Sequence, residues 1–146
     1  MKLYFQKCNA QAILPKRATP QSAGFDLSAC LGEPVTLEPG QRALIPTGLC
    51  AAPISDTPVA LLLYARSGLA IRHGITMANS VGVIDADYRG EICVPLINLS
   101  QEPFTITHGM RIAQLIVTPV LLPDILETDT LPATQRGTGG FGSTGL

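Results

Sequence analysis

The stretch Arg111-Ile112-Ala113-Gln114-Leu115-Ile116-Val117-Thr118-Pro119-Val120-Leu121 decides the fold class. From Ile112 to Val117 it is apolar at both parities, with Gln114 the one polar interruption. Such a run suits a strand in a sheet covered on both faces. Outward from it, the segments Val35–Leu37, Arg42–Cys50, Val59–Tyr64, Glu91–Asn98 and Phe104–Thr107 are also short, β-branched and strand-like. The turn Glu38-Pro39-Gly40-Gln41 follows the first of them. Twelve Pro and fourteen Gly punctuate the chain between these segments. The single helical candidate is Ser67 to His73, with Ser67 placed to cap it and Gly74 to end it. The chain therefore reads as all-β, a closed barrel or jelly roll with one short helix.

The 146 residues suit one domain, with a core over residues 1–132 and a Gly-rich tail over residues 133–146. The hydrophobic fraction is 46% and the charged fraction 14%, where about 25% charged is usual. So charge-poor a surface points to contact with other copies of the chain, ahead of a monomer coated with Ser, Thr and Gln. A net charge of −1 supplies no basic field for nucleic-acid polymer or for an anionic membrane. No apolar leader opens the sequence, and the longest apolar run, Val59 to Ala65, is far too short to span a bilayer. These features predict a soluble, cytoplasmic protein. Cys8, Cys30, Cys50 and Cys93 lack zinc-knuckle or redox spacing and read as idle or buried thiols.

Several polar groups could carry chemistry. Asp85 lies in Gly82-Val83-Ile84-Asp85-Ala86-Asp87-Tyr88-Arg89-Gly90, which is either a plain hairpin tip or a site on a barrel rim. Arg66 and Ser67 stand where a strand enters the helix, as an anion seat or as a surface Arg beside a capping Ser. Asp26 is a strand-edge or turn acid, and Gln114 is either satisfied in the core or turned toward a site. After Pro132 the tail sets Arg136, Phe141, Ser143 and Thr144 among glycines. It is either a frayed end or a phosphate clamp with an aromatic lid. In combination, anion seats, acids and an aromatic lid favour a nucleoside phosphate with a divalent metal.

Five of these segments resemble, in order, the motifs of the trimeric dUTPase family. They are Ala23 to Ala29, Ala65 to Ala70, Gly82 to Ile92, Arg111 to Ile116, and Arg136 to Gly145. Phe25 stands where the family often has Tyr, and Ala65 where it often has Gly. The resemblance implies a distorted jelly-roll barrel of the dUTPase-like β-clip kind, assembled as a homotrimer whose sites are shared between subunits. It implies Mg2+-dependent hydrolysis of dUTP to dUMP and pyrophosphate, which limits uracil in DNA and supplies dUMP for thymidylate synthesis. Carried over by residue, Asp85 is the base for water attacking the α-phosphate, and Asp26 holds Mg2+ through water. Arg66, Ser67, Gly68 and Gln114 contact the phosphates, with Gln114 stabilising charge at the reacting centre. Asn79 and the Asn79–Ile84 strand, including the backbone of Val83 and Ile84, read uracil. Tyr88 packs on the deoxyribose, while Phe141 stacks over uracil; Arg136, Gly142, Ser143 and Thr144 hold the outer phosphates. Asp87 is expected to pair with Arg89 or the turn backbone.

Two rivals are set aside on the same residues. A dCTP deaminase of the same superfamily carries a catalytic Glu on the strand after the third motif, but Glu91 to Ile97 holds no acid beyond its first residue. A binding module without catalysis would not need Asp85, Asp26 and the tail together.

Overall fold

The computed structural model describes residues 1–140. Eleven strands and one helix fill them: β1 (Lys2–Lys7), β2 (Phe25–Ser28), β3 (Val35–Leu37), β4 (Arg42–Pro46), β5 (Leu49–Ile54), β6 (Val59–Ala65), α1 (Ser67–His73), β7 (Ile75–Met77), β8 (Gly82–Ile84), β9 (Cys93–Asn98), β10 (Phe104–Ile106) and β11 (Arg111–Pro119). The all-β jelly-roll expectation holds. A four-stranded sheet runs β2-β11-β6-β8, a three-stranded one β4-β9-β7, and β1-β5 and β3-β10 form pairs, all antiparallel.

The spine is the pairing of β11 with β6, from Ala113 opposite Ala65 to Pro119 opposite Val59. Alternation sends Leu61, Leu63, Ala113 and Leu115 inward, where each is essentially inaccessible. Leu27 joins them from β2 of the same sheet, and Ile45, Leu96 and Ile106 meet them from the other sheets. Each such aliphatic side chain contributes about 2 kcal/mol by leaving water. The opposite face of β11 is covered less completely than the sequence implies: Gln114 is exposed and Ile116 half-buried. Between Arg111 and Ala113 the β11–β2 register slips at a bulge, which lets the consecutive Ile112 and Ala113 both be buried.

The expected strand Arg42–Cys50 is in fact two, broken at Thr47-Gly48. Gly48 takes φ 68°, and a Cβ there would stand 2.8 Å from Ala12 Cβ and 2.9 Å from Cys30 Sγ, so only glycine fits. Thr47 is buried and donates its hydroxyl to the Ile92 carbonyl at 2.6 Å. Helix α1 has the expected span and ends at left-handed Gly74, but Ser67 does not cap it. Arg66 is the N-cap, and no side chain bonds the free N–H groups. The expected Asn79–Ile84 strand shrinks to β8, because Ser80 takes φ 63° in a turn. Strands β1 and β7 have no counterpart in the sequence reading. β11 stops at Pro119, and the chain beyond leaves the barrel with Leu121, Ile125, Leu126 and Leu131 all more than 80% exposed.

Asn98 ties the layers together from a fully buried position. Its Nδ2 donates to the Leu37 and Glu102 carbonyls at 2.8 Å, and its Oδ1 accepts from the Ser100 N–H and hydroxyl. No buried side-chain N or O among the described residues lacks a partner.

Candidate active site

The sequence-selected residues fall into two groups at opposite ends of the β2-β11-β6-β8 sheet. The first gathers around Asp26, on β2 directly opposite Gln114 of β11. Asp26 Oδ1 accepts from Arg66 Nε at 3.1 Å and Oδ2 from an Arg111 Nη at 2.9 Å. These are the ion pairs found among the described residues. Arg66 can reach Asp26 because β6 ends at Ala65 and the next residue is still extended, at φ −87°, ψ 128°. A second guanidinium N–H of Arg66 donates to the Arg111 carbonyl at 3.2 Å. Asp26 is 13% exposed and Arg66 25%, so the pairing is partly shielded from solvent. Gln114, Asp26, Gly24 and Ser22 line a cleft of about 270 Å³. Ser67 and Gly68 open α1 nearby in sequence, both exposed. The Arg17 guanidinium stacks over the Phe25 ring, 4.3 Å from its centroid.

The second group is the turn after β8, which is no hairpin tip, because β8 pairs with β6 while the next strand, β9, belongs to the three-stranded sheet. The turn closes with Tyr88 N–H donating to the Asp85 carbonyl at 3.1 Å, and Asp85 itself is exposed. Tyr88 folds back over Gly90 and donates its hydroxyl to the Glu91 carbonyl at 3.1 Å. A Cβ on Gly90 would collide with the Tyr88 ring, so glycine is what lets the ring lie flat. Val83, Ile84, Asp85, Tyr88, Ile92 and Cys93 border a cleft of about 310 Å³. Burial first, then the Glu91 carboxylate, pushes the Cys93 thiol above its ordinary range, so it lines the cleft as a neutral group. Arg89 donates to the carbonyls of Ala86 and Tyr88, not to Asp87, which removes Arg89 from the two partners expected for Asp87. The fixed carbonyls of the turn compete better for the guanidinium than an exposed carboxylate does.

One chain does not bring the two groups together. Asp26 is level with Gln114 and Tyr64, while Ile84 is opposite Leu61 and Asp85 lies one residue further out. With about 4.8 Å between strands and 3.3 Å per residue, Gln114 and Asp85 are roughly 16 Å apart along the sheet. Asn79 is exposed in the turn before β8. Among the described residues Arg136 donates locally, to the Gly139 carbonyl at 2.8 Å. Phe141, Gly142, Ser143 and Thr144 lie outside the described residues. The sequence reading assigned no role to Arg111, the second partner of Asp26. Nor did it assign one to Glu91, whose carboxylate accepts the Gly48 N–H at 2.7 Å and joins the end of the β8–β9 connection to the β4–β5 turn.

An arginine-lined seat at one edge of a jelly-roll sheet and a carboxylate-bearing turn at the other suit a barrel of the phosphate-ester-handling class. Within that class the chain belongs to the dUTPase family, whose family model matches residues 10–145. It is 47% identical over 146 residues to the deoxyuridine 5'-triphosphate nucleotidohydrolase of Desulfitobacterium hafniense, covering 100% of this chain and 96% of that protein. The protein of the same name from Pseudomonas entomophila is 52% identical over 132 residues, 90% of this chain and 87% of that one. Among solved structures, the Staphylococcus bacteriophage 80alpha dUTPase with dUPNHPP superposes with a TM-score of 0.86 at 26% identity, covering 99% of both chains.

Proposed function

We propose that this chain hydrolyses dUTP to dUMP and pyrophosphate by attack of water on the α-phosphate, at sites assembled from three copies. The observation that carries the reading is Asp26 held between two arginines opposite Gln114, in a chain that belongs to the dUTPase family. Arg66, Gln114 and the free N–H groups of Ser67 and Gly68 receive the phosphates. Asp85 orients the attacking water and takes its proton, while Gln114 donates to the α-phosphoryl oxygen as charge builds there. Asn79 and the backbone of Val83 and Ile84 read uracil. Tyr88, fixed over Gly90, packs on the deoxyribose. The tail residues Arg136, Phe141, Gly142, Ser143 and Thr144 close over base and outer phosphates.

The residues fit a substrate-borne Mg2+. No group of three or more His, Cys, Asp or Glu side chains gathers among the described residues, so there is no all-protein cage. A hard ion that keeps its waters and rides on triphosphate oxygens needs little more than one carboxylate such as Asp26. When bound, Mg2+ would neutralise charge on the triphosphate and its leaving pyrophosphate.

Two features support shared sites. A base must lie within about 3 Å of its water, and the water about 3 Å from phosphorus, so Asp85 and Gln114 must act within a span well under 16 Å. One copy's Asp85 therefore serves another copy's Asp26 seat. The apolar, exposed segment after Pro119 offers the surface that neighbouring copies would cover. No helix among the described residues is long and apolar enough to cross a membrane. Free thiols at Cys8, Cys30, Cys50 and Cys93 suit the reducing cytoplasm, the location we assign.

The test is pyrophosphate release from dUTP, UTP, dTTP and dCTP, with Mg2+ and with chelator. Hydrolysis confined to dUTP and dependent on the metal supports the reading; equal rates on all four would overturn it. Ammonia release from dCTP is expected to be absent, since Glu91 is committed to Gly48.

A further inference from the structure

Asp26 is the hinge of the phosphate seat, and its two oxygens have different partners. Oδ1 takes Arg66, a residue the proposed function sends to the phosphates; Oδ2 takes Arg111, which that reading leaves without a task. Arg111 reaches Asp26 only because of the β11 bulge. Counting back from inward Leu115 and Ala113 by twos, residue 111 would point into the core. The slip between Arg111 and Ala113 reverses that parity and puts Arg111 on the face of Asp26 and Gln114. Its carbonyl, meanwhile, holds a guanidinium N–H of Arg66. One residue thus grips both halves of the Asp26–Arg66 pair, through its side chain and its backbone.

We propose that Arg111 is a positioning residue for the triphosphate seat, anchoring Asp26 by Oδ2 so that Oδ1 can exchange Arg66 for the water shell of a substrate-borne Mg2+. A carboxylate fastened at one oxygen keeps its orientation while the other changes partner. Without Arg111, Asp26 is free to turn both oxygens onto the fork of Arg66, the preferred two-point geometry of that pair. Arg66 is then withdrawn from the phosphates and Asp26 from the metal's waters. The inference rests on the proposed function, since it takes the triphosphate as the occupant of the seat.

The experiment is calorimetric binding of dUpNHpp, in Mg2+, to the full chain and to Arg111→Gln, Arg111→Lys, Asp26→Asn and the Arg111→Gln/Asp26→Asn double variant, each with its thermal midpoint. Arg111→Gln is expected to weaken binding about tenfold at an unchanged midpoint, and Arg111→Lys, which keeps a cation on Oδ2, to recover most of it. In the Asp26→Asn background the Arg111→Gln change is expected to cost almost nothing further, because the anchored group is gone. The same tenfold loss in that background would mean Arg111 contacts the ligand directly and would overturn the proposal. So would full affinity of Arg111→Gln in the otherwise native chain. If Arg111→Gln does not fold, Arg111→Lys measured with and without Asp26→Asn decides by the same criterion. Absence of dUpNHpp binding by the unsubstituted chain would instead sink the function reading itself.

Discussion

The Asp26 seat and the Asp85 turn each present a carboxylate from the same four-stranded sheet, yet they are built in opposite ways. Asp26 is mostly buried and gripped by two guanidiniums whose own positions are fixed by strand ends. Asp85 is exposed at a turn held by backbone bonds, with Tyr88 and Arg89 folded onto neighbouring carbonyls. The seat is ordered before anything binds, so its ordering entropy is met during folding. The turn offers a backbone held by its own bonds and an exposed acid, whose surroundings, on the proposed function, come from substrate and another copy. On that reading, a binding half prepared in advance and a reacting half completed on assembly keep the base from acting until the phosphates are in place.

The sharpest way to break this contrast is Asp85→Asn. It is expected to cut kcat for dUTP by about a thousandfold, the scale of a lost general base, while dUpNHpp binding measured by calorimetry persists. Hydrolysis near the unsubstituted rate would remove Asp85 from the role of base. A chain ending at Pro132 is expected to lose about a hundredfold in turnover, the scale of one lost set of charge-stabilising donors. Light scattering should still find it trimeric; full activity would make the tail dispensable. Gly90→Ala attacks the turn without touching its acid. By displacing the Tyr88 ring it is expected to raise KM for dUTP about tenfold and to narrow the preference for dUTP over UTP. Unchanged selectivity would detach Tyr88 from sugar recognition. The mildest test mixes two inactive proteins, Asp85→Asn and Asp26→Asn, dissociates them and lets them reassemble. If each site takes its two acids from different copies, about a quarter of the sites regain both. No recovery, given mixed trimers by mass spectrometry, would mean both acids come from one chain.

Much of the fold could be read from local pattern. β6 and β11 are apolar at both parities and central, so burial and strand form coincide in them. β1 escaped because it is half polar and pairs only with β5; nothing in Lys2–Lys7 distinguishes such an edge from a coil. The break at Gly48 escaped for a different reason: its left-handed turn sits inside an apolar run, and what demands it is the approach of Ala12 and Cys30 from elsewhere in the chain. In the site, Asp26, Arg66 and Gln114 were legible because their residue types stand out against apolar strands. Arg111 was not. Its partner is 85 residues away, and its facing depends on a bulge that alternation alone would place wrongly. The distance between Asp85 and the seat was likewise invisible until registers could be counted across three strands.

The segment beyond Pro119 carries a consequence for the protein's lifetime. Leu121, Ile125, Leu126 and Leu131 are all more than 80% exposed among the described residues, and the backbone there forms neither helix nor strand, so proteases can reach it. On the proposed assembly, a newly made chain exposes this apolar segment to proteases until sister chains cover it. Turnover would then be steep below the concentration at which copies meet and slow above it, so that abundance is set partly by synthesis rate squared or cubed. Limited proteolysis at falling protein concentration should cut first between residues 120 and 131; cleavage independent of dilution would rule that dependence out.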